Sequence, residues 1–306
     1  MTEARISHEY IVRCAGLAVA LMAIALATPA SATTFYKESF TCPIGGEKFK
    51  ADVVVSNISF GQRPDGKPYS PLPVYPIVEC PENGLLLFDD EFTDEELAAL
   101  AAAIASAEFK AMRATETQHF RAAWLKDKAG RSALSQVNSL LQASWETDTE
   151  PERKIRYQVE FVNTVMRLER TEENAENWFW FNMRAVNAMR ELGYFAEGLR
   201  HLDKMMAPEH LPRDEKTAEN ALFFGGELRA LLEQENPYPE PANLVPADIA
   251  MFRCIVPKSA LTSAESQACA MDEVRNEIDN FTYKPKGEKK LKGEAAIRAA
   301  SAGREL

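Results

Sequence analysis

Two short turns of this chain carry a cysteine in a frame typical of zinc-binding knuckles. Residues 42–46 read Cys-Pro-Ile-Gly-Gly and residues 80–84 read Cys-Pro-Glu-Asn-Gly, where a zinc ribbon has Cys-Pro-x-Cys-Gly. Each turn therefore lacks its second thiolate, and Asn83 occupies that position in the second turn. A structural zinc ion is normally held by four ligands, which two cysteines do not supply. The sequence predicts no metal ion and no other cofactor here, with zinc held through non-cysteine ligands as an alternative.

The N-terminal segment has the features of a secretory signal peptide. Arg5 and Arg13 precede an apolar run of about 14 residues, whereas a helix that spans a bilayer needs roughly 20. Small residues at Ala30 and Ala32 then match a cleavage site. We expect a signal peptide over 1–32, cleavage near Ala32, and a periplasmic or secreted protein without a later membrane span. A retained anchor is the competing interpretation.

The remaining cysteines suit an oxidising compartment. Once the predicted signal peptide is removed, the chain keeps Cys42, Cys80, Cys254 and Cys269. Four cysteines allow three pairings, and their order along the chain suggests 42–80 and 254–269. Neither pair stands in a Cys-x-x-Cys motif, which disfavours a catalytic dithiol.

The composition of the chain restricts its partners. The 306 residues are 46% hydrophobic and carry a formal net charge of -11. An acidic chain lacks the basic face with which nucleic-acid-binding proteins attract phosphate. We therefore expect no nucleic acid among its partners.

Residues 33–92 predict a small module of strands and loops. The alternating, β-branched stretch at 51–60 favours a strand. Five prolines within 61–76 exclude a regular helix there and favour extended segments. Such a module buries little apolar surface by itself.

From Thr93 onward the sequence predicts helices. Thr93 and Glu96 form a capping box ahead of an alanine-rich stretch that continues to Met112. Further helical stretches are expected at 116–128, 131–146, 152–170, 175–192, 194–206, 215–235 and 262–281. Residues 236–246 predict a linker or an irregular loop, and the lysine-rich residues 282–306 predict a flexible tail. The helical domain thus spans 93–281.

One helix pair has the spacing of a tetratricopeptide (TPR) repeat. Residues 189–205 place Leu192 and Gly193 at a turn, Phe195 beneath it, and Gly198 where two helices approach closely. An ordinary amphipathic helix pair is the alternative, because no clean 34-residue copies recur along the chain.

The two cysteine turns and the helices that follow resemble an uncharacterised bacterial family, domain of unknown function 2225. The resemblance covers about residues 40–210 and rests on the following positions: Cys42-Pro43, Phe49, Pro73-Val74-Tyr75, Cys80-Pro81, Gly84, Phe88 and Phe92. It implies a mostly α fold, in which a β-rich, zinc-ribbon-derived module precedes TPR-like helices. Thiolates on one zinc ion lie roughly 4 Å apart, so a ribbon brings its knuckles near disulfide range. We therefore expect Cys42 and Cys80 to form a disulfide clamp in place of the metal.

No motif in the chain predicts a reaction. There is no His-Glu-x-x-His, no Gly-x-Ser-x-Gly and no phosphate-binding glycine loop. Stacked helical hairpins present concave surfaces, which favours an exported, non-catalytic scaffold that binds a protein or peptide in the cell envelope. Trp178, Trp180 and Tyr194 are the candidate contact residues, although an apolar helix of this kind is more often buried. The alternative is an enzyme or a metal-dependent envelope protein whose site forms only in three dimensions.

Overall fold

The computed structural model describes residues 33–302, so the predicted signal peptide lies outside the described residues. Within that range the protein is mostly helical, with twelve helices and two small antiparallel sheets. The strands are β1 (Thr33–Thr41), β2 (Lys48–Asn57), β3 (Thr282–Tyr283) and β4 (Leu291–Lys292). The helices are α1 (Asp94–Ala105), α2 (Ala107–Thr115), α3 (Gln118–Lys128), α4 (Ala133–Glu146), α5 (Pro151–Val165), α6 (Ala175–Glu191), α7 (Phe195–Met205), α8 (Glu215–Glu233), α9 (Ala247–Ile255), α10 (Ser263–Ala270), α11 (Asp272–Asn280) and α12 (Glu294–Ala302).

The β-rich module packs directly on the first helices. β1 and β2 form an antiparallel hairpin in which Phe40 lies opposite Phe49, with ring centroids 5.7 Å apart. Its turn and the second cysteine turn pack on α1, α2 and α3 through one hydrophobic cluster, formed by Cys42, Cys80, Leu85, Leu86, Leu100, Ala103, Ile104, Phe109, Ala122 and Leu125. The predicted boundary at 92–93 therefore falls inside a shared core, because the module is too small to bury its apolar side chains alone.

Helices α3 to α8 form the central part of the molecule. Each of these helices contacts the next along the chain. Two clusters fill the spaces between them, one around Phe161 and Leu141, the other around Phe179 and Leu202. Packing of each helix on the next one along the chain is typical of helical bundles and helical-hairpin proteins. The part of the chain that the structure describes contains no helix with both the length and the apolar composition needed to cross a bilayer.

Gly198 is the small residue at a close helix approach, as its position in the sequence predicts. A Cβ atom on Gly198 would lie 2.7 Å from Leu232 Cδ2 of α8 and 3.7 Å from Met189 Cβ of α6. The tighter contact is thus with the following helix rather than with α6. Because Gly198 has no side chain, Leu232 packs in the core between α6, α7 and α8.

The C-terminal residues differ from the predicted flexible tail. Residues 282–302 form the β3–β4 hairpin and α12, which buries Ala296, Ile297 and Ala300. Ile297 joins a fourth cluster with Ala250, Met251 and Val274. The prediction gave weight to the lysines of 284–292, but the apolar residues of α12 repeat at helical spacing and anchor the segment.

Candidate functional site

A buried ion-pair network fixes the proline-rich loop on the helices. Arg63 Nε donates to Asp65 Oδ1 at 3.2 Å, and Arg63 Nη1 donates to Asp148 Oδ2 at 2.7 Å. Lys67 Nζ reaches the same Asp148 oxygen at 2.6 Å. Asp148 follows α4, so the network ties residues 63–67 to the helical part of the chain.

The pKa values of Asp148 and Arg63 are both shifted toward the charged form. Burial alone would raise the pKa of Asp148, but the charges of Arg63 and Lys154 and the hydrogen bond from Lys67 hold it well below its usual range. Burial opposes the charge on Arg63, yet its two aspartate partners raise the pKa of the guanidinium further. The groups therefore position the loop and do not exchange protons.

A fully buried arginine anchors the irregular segment 236–246. Arg190 Nη1 donates to the carbonyl oxygens of Asn236 and Tyr238, at 2.6 and 2.8 Å. Asn236 Nδ2 in turn donates to Glu265 Oε2 at 2.9 Å. Glu265 also pairs with Arg253, whose Nε lies 2.7 Å from Glu265 Oε1. Of the two alternatives predicted for this segment, a linker or an irregular loop, the structure shows an ordered loop beside α6.

These anchored segments enclose a groove. It has a volume of about 340 Å³, comparable with the smaller ligand pockets of proteins. Its walls come from the proline-rich loop, α6, α8 and the 236–246 segment, through Gln62, Arg63, Pro64, Trp180, Arg184, Asn220, Phe224 and Leu244. Trp180 and Phe224 face each other with ring centroids 6.3 Å apart. We call this the Trp180 groove.

The three candidate contact residues lie in different places. Trp180 is half-buried and lines the groove, and Tyr194 is 50% exposed between α6 and α7. Trp178 is only 7% exposed, and its indole Nε1 donates to the Leu168 carbonyl at 3.0 Å. Trp178 is therefore a core residue, because its ring fills the third hydrophobic cluster and its polar atom is satisfied there.

The predicted cysteine pairs are present as disulfides. Cys42 bonds Cys80 and Cys254 bonds Cys269, with Cα atoms 5.8 and 5.6 Å apart. Loops of this size are stabilised by about 4 and about 3 kcal/mol in the chain-entropy model. In this state neither sulfur of a pair is the thiolate that zinc binding requires. Two disulfides are typical of proteins from an oxidising compartment.

Asn83 lies at the position where a Cys-Pro-x-Cys-Gly turn has its second cysteine. Its Nδ2 donates to the Ile44 carbonyl at 2.7 Å and lies 3.4 Å from Cys42 Sγ, while its Oδ1 accepts from Leu85 N at 2.9 Å. Both cysteine turns share one backbone pattern, since Gly46 N donates to Cys42 O and Gly84 N donates to Cys80 O. A hydrogen-bonded amide thus joins the two turns beside the disulfide.

The rings of His119 and His201 each contact one neighbouring polar side chain. His119 Nδ1 lies 2.9 Å from Glu146 Oε1, and His201 Nε2 lies 2.8 Å from Asn182 Oδ1. Burial lowers the pKa of His201 to about 4, with a smaller effect from Lys204. Over residues 33–302, no three His, Cys, Asp or Glu side chains gather as a metal-binding group.

Sequence reasoning missed most residues of the Trp180 groove. Arg184 lies four positions after Trp180, and Phe224 lies four positions after Asn220, so each pair shares one helix face. This spacing can be seen in the sequence, but it does not reveal that the face of α6 and the face of α8 lie next to each other. Gln62 and Pro64 join them only because Arg63 holds their loop against α4 and its neighbours.

Comparison with protein-family models, with curated proteins and with solved structures finds no match for this chain.

Proposed function

We propose that the chain is an exported, non-catalytic helical protein that binds a protein or peptide partner in the cell envelope through the Trp180 groove. The observation that carries the proposal is an aromatic groove built from four separate segments, each held by buried contacts. Binding sites are typically preformed clefts that combine apolar side chains with a few polar groups. The two disulfides support the extracytoplasmic location.

The groove suits a short apolar segment of a partner. Trp180 and Phe224 offer partly exposed aromatic surface, and Leu244 and Pro64 extend it. Aromatic residues of this kind dominate the energy of interfaces because they bury a large area at a low cost in conformational entropy. Amide groups of Gln62 and Asn220 stand at the same groove and are exposed, so they are available to a peptide backbone.

The resemblance to domain of unknown function 2225 adds a proposal about the origin of the two cysteine turns. We infer that the two cysteine turns descend from zinc knuckles, which the shared backbone pattern of Cys42 and Cys80 supports. Loss of one ligand from each turn, followed by a disulfide between the remaining two, would preserve the module outside the cell.

A peptide-binding selection tests the proposed function. We would screen residues 33–306 against a random heptapeptide library with free C-termini, and measure the selected peptides by calorimetry. Trp180→Ala and Phe224→Ala should each weaken binding by about tenfold or more, since hot-spot truncation costs about 2 kcal/mol or more. Tyr194→Ala is the matched control, because Tyr194 is exposed but does not line the groove. Absence of any selected peptide, or binding that depends on Tyr194 and not on Trp180, would refute the proposal.

A further inference from the structure

Arg184 is held in place at the Trp180 groove. It lies one helical turn after Trp180 on α6, and its guanidinium carbon is 5.8 Å from the centre of the Phe181 ring. The loop closes over it at Gly66, where a Cβ atom would lie 2.7 Å from Arg184 Nε. Gly66 has a φ of +87°, so both its backbone conformation and its lack of a side chain admit the arginine. The guanidinium is thus positioned before any ligand arrives.

The guanidinium has no anionic partner within the described residues. Between residues 33 and 302, no hydrogen bond or ion pair to the half-buried Arg184 side chain is present. The carboxylate that acts on its charge is Asp65, but both Asp65 oxygens already accept from Arg63, and Oδ1 also accepts from Lys67 N. An arginine carries five N–H donors, so those of Arg184 are open to the oxygens of a ligand.

The ion-pair network next to Arg184 contains one more cation than carboxylates. The neighbouring ion-pair network joins four cations, Arg63, Lys67, Lys154 and Arg190, to three carboxylates, Asp65, Asp148 and Glu191. Arg184 stands beside this network as a further cation. The chain as a whole has a net charge of -11, so a local excess of cations is a specific feature of this region. Burial also lowers the pKa of Arg184, with Asp65 offsetting part of the effect, and a bound anion would counter that cost.

The other residues of the groove indicate which ligand group would lie next to the bound anion. Within the part of the chain that the structure describes, no Asp or Glu side chain lines the groove. Its walls next to Arg184 are aromatic and aliphatic, from Trp180, Phe224 and Leu244. A planar guanidinium matches the two oxygens of a carboxylate, which it binds through paired hydrogen bonds. The C-terminal residue of a peptide presents a carboxylate and an apolar side chain on one Cα atom.

We propose that Arg184 binds the C-terminal carboxylate of a peptide or protein partner whose last side chain is apolar and packs against the exposed surfaces of Trp180 and Phe224. The assignment rests on the proposed binding function and specifies its ligand chemistry. A cavity of about 340 Å³ accommodates one or two terminal residues and not a folded surface. The partner would therefore insert a chain end into the groove.

The test compares two small probes that differ only at the carboxylate. N-acetyl-phenylalanine and N-acetyl-phenylalanine amide are titrated into residues 33–306, and binding is followed by NMR. The chain has four tryptophans, so the indole N–H signal of Trp180 is assigned from the Trp180→Phe variant. We expect the acid to bind about tenfold or more tightly than the amide, because a charge-assisted pair exceeds a neutral contact by that amount. This preference should weaken as salt is added.

Two arginine variants separate a direct contact from a general charge effect. Arg184→Gln should bring the affinity for the acid down to that for the amide, whereas Arg200→Gln should leave the preference intact. Arg200 is exposed on α7, where it pairs with Glu197 at 3.2 Å. Circular dichroism and thermal unfolding of both variants show whether each retains the fold. If Arg184→Gln does not fold, Arg184→Lys, which keeps the charge and loses the paired geometry, should reduce the preference at least in part.

The outcomes for the two proposals are distinct. Equal affinities for acid and amide, an acid preference that survives in folded Arg184→Gln, or no binding of the acid at millimolar concentration would each overturn the role of Arg184. Equal affinities that still require Trp180 would leave the groove as a binding site and remove only its carboxylate specificity. Failure of the peptide selection would overturn the binding function itself.

Discussion

The Asn83 side chain joins the two cysteine turns through hydrogen bonds from both ends of its amide. The amide donates to the Ile44 carbonyl of one cysteine turn and accepts from Leu85 N of its own turn. A thiolate at this position could accept from N–H groups but could not donate to a carbonyl. The disulfide links the two turns covalently, and the hydrogen bonds of Asn83 fix their relative orientation.

Removal of the Asn83 amide should therefore destabilise the β-rich module. Asn83→Ala leaves the Ile44 carbonyl and Leu85 N without their partners, which costs about 1–3 kcal/mol for buried groups. Urea unfolding followed by circular dichroism measures the change. Asn220→Ala is the matched control, because Asn220 is exposed and makes no hydrogen bond through its side chain within residues 33–302. Equal stabilities of the two variants would contradict the role assigned to Asn83.

His201 makes the fold sensitive to mild acid. Its Nε2 donates to Asn182 Oδ1, since the Asn182 amide nitrogen already donates to the Trp178 carbonyl at 2.7 Å. Burial lowers the pKa of His201 from 6.5 to about 4, so the folded protein holds the ring neutral while the unfolded chain protonates it. Stability that depends on the neutral ring is complete above pH 6.5 and is lost as the pH falls toward 4.

A glutamine at this position should remove that pH dependence. His201→Gln keeps an N–H donor for Asn182 but does not titrate. Unfolding temperatures measured between pH 7 and 4 should fall for both proteins as carboxylates protonate, with the steeper fall in the unmodified chain. The difference between the two curves isolates the histidine. Parallel curves would show that His201 has the same pKa in the folded and unfolded chain.

At the scale of elements, the sequence predicted most helices and misjudged their interruptions. The predicted helix from Thr93 to Met112 is divided at Ser106, whose Oγ accepts from Phe109 N and donates to the Ala103 carbonyl. A serine side chain can hydrogen-bond nearby backbone groups in this way and interrupt a helix, but serine also occurs inside uninterrupted helices. With the helix interrupted here, Phe109 of α2 is fully buried in the cluster that α1, α2 and α3 share with the cysteine turns.

The C-terminal elements were missed for a related reason. α9 was not predicted because Pro246 and the preceding prolines indicated a linker, yet proline at a helix start is compatible with helix. α12 follows a lysine-rich stretch that is typical of disordered tails. Its position depends on a surface formed by α9 and α11, which a single sequence does not reveal. The Trp180 groove was missed on the same grounds, since it lies where four segments meet.

Ile297 tests whether α12 is part of the folded core. The side chain is fully buried against the fourth cluster, so Ile297→Ala should cost about 2–5 kcal/mol in free energy of unfolding. Arg298→Ala is the control on the same helix, because Arg298 is exposed and pairs with Glu294 on the surface, at 3.5 Å. Its effect should stay within about 0.5 kcal/mol. An Ile297→Ala protein as stable as the Arg298→Ala protein would mean that α12 is not packed on the core.

At the scale of the whole molecule, a single carboxylate connects the N-terminal module, the central helices and the groove. Asp148 receives hydrogen bonds from Arg63, Lys67 and Lys154, which come from the proline-rich loop and from α5. The loop they hold supplies Gln62 and Pro64 to the groove wall. Stability and binding should therefore change together when this carboxylate is removed, although Asp148 touches no ligand.

Asp148→Asn would leave three cations without their shared carboxylate. Asp148 is 26% exposed, and Arg63 and Lys154 keep Asp65 and Glu191 as partners, so we expect a loss of about 1–3 kcal/mol by urea unfolding. The loop should loosen, so amide hydrogen exchange should rise at residues 61–67, and the acid probe should bind more weakly than to the unmodified chain. Asp127→Asn is the control, because Asp127 pairs with Lys128 on the surface at 3.4 Å and should change stability by no more than about 1 kcal/mol. Loss of stability without faster exchange in the loop would show that Asp148 supports the helices alone and that the groove wall has another anchor.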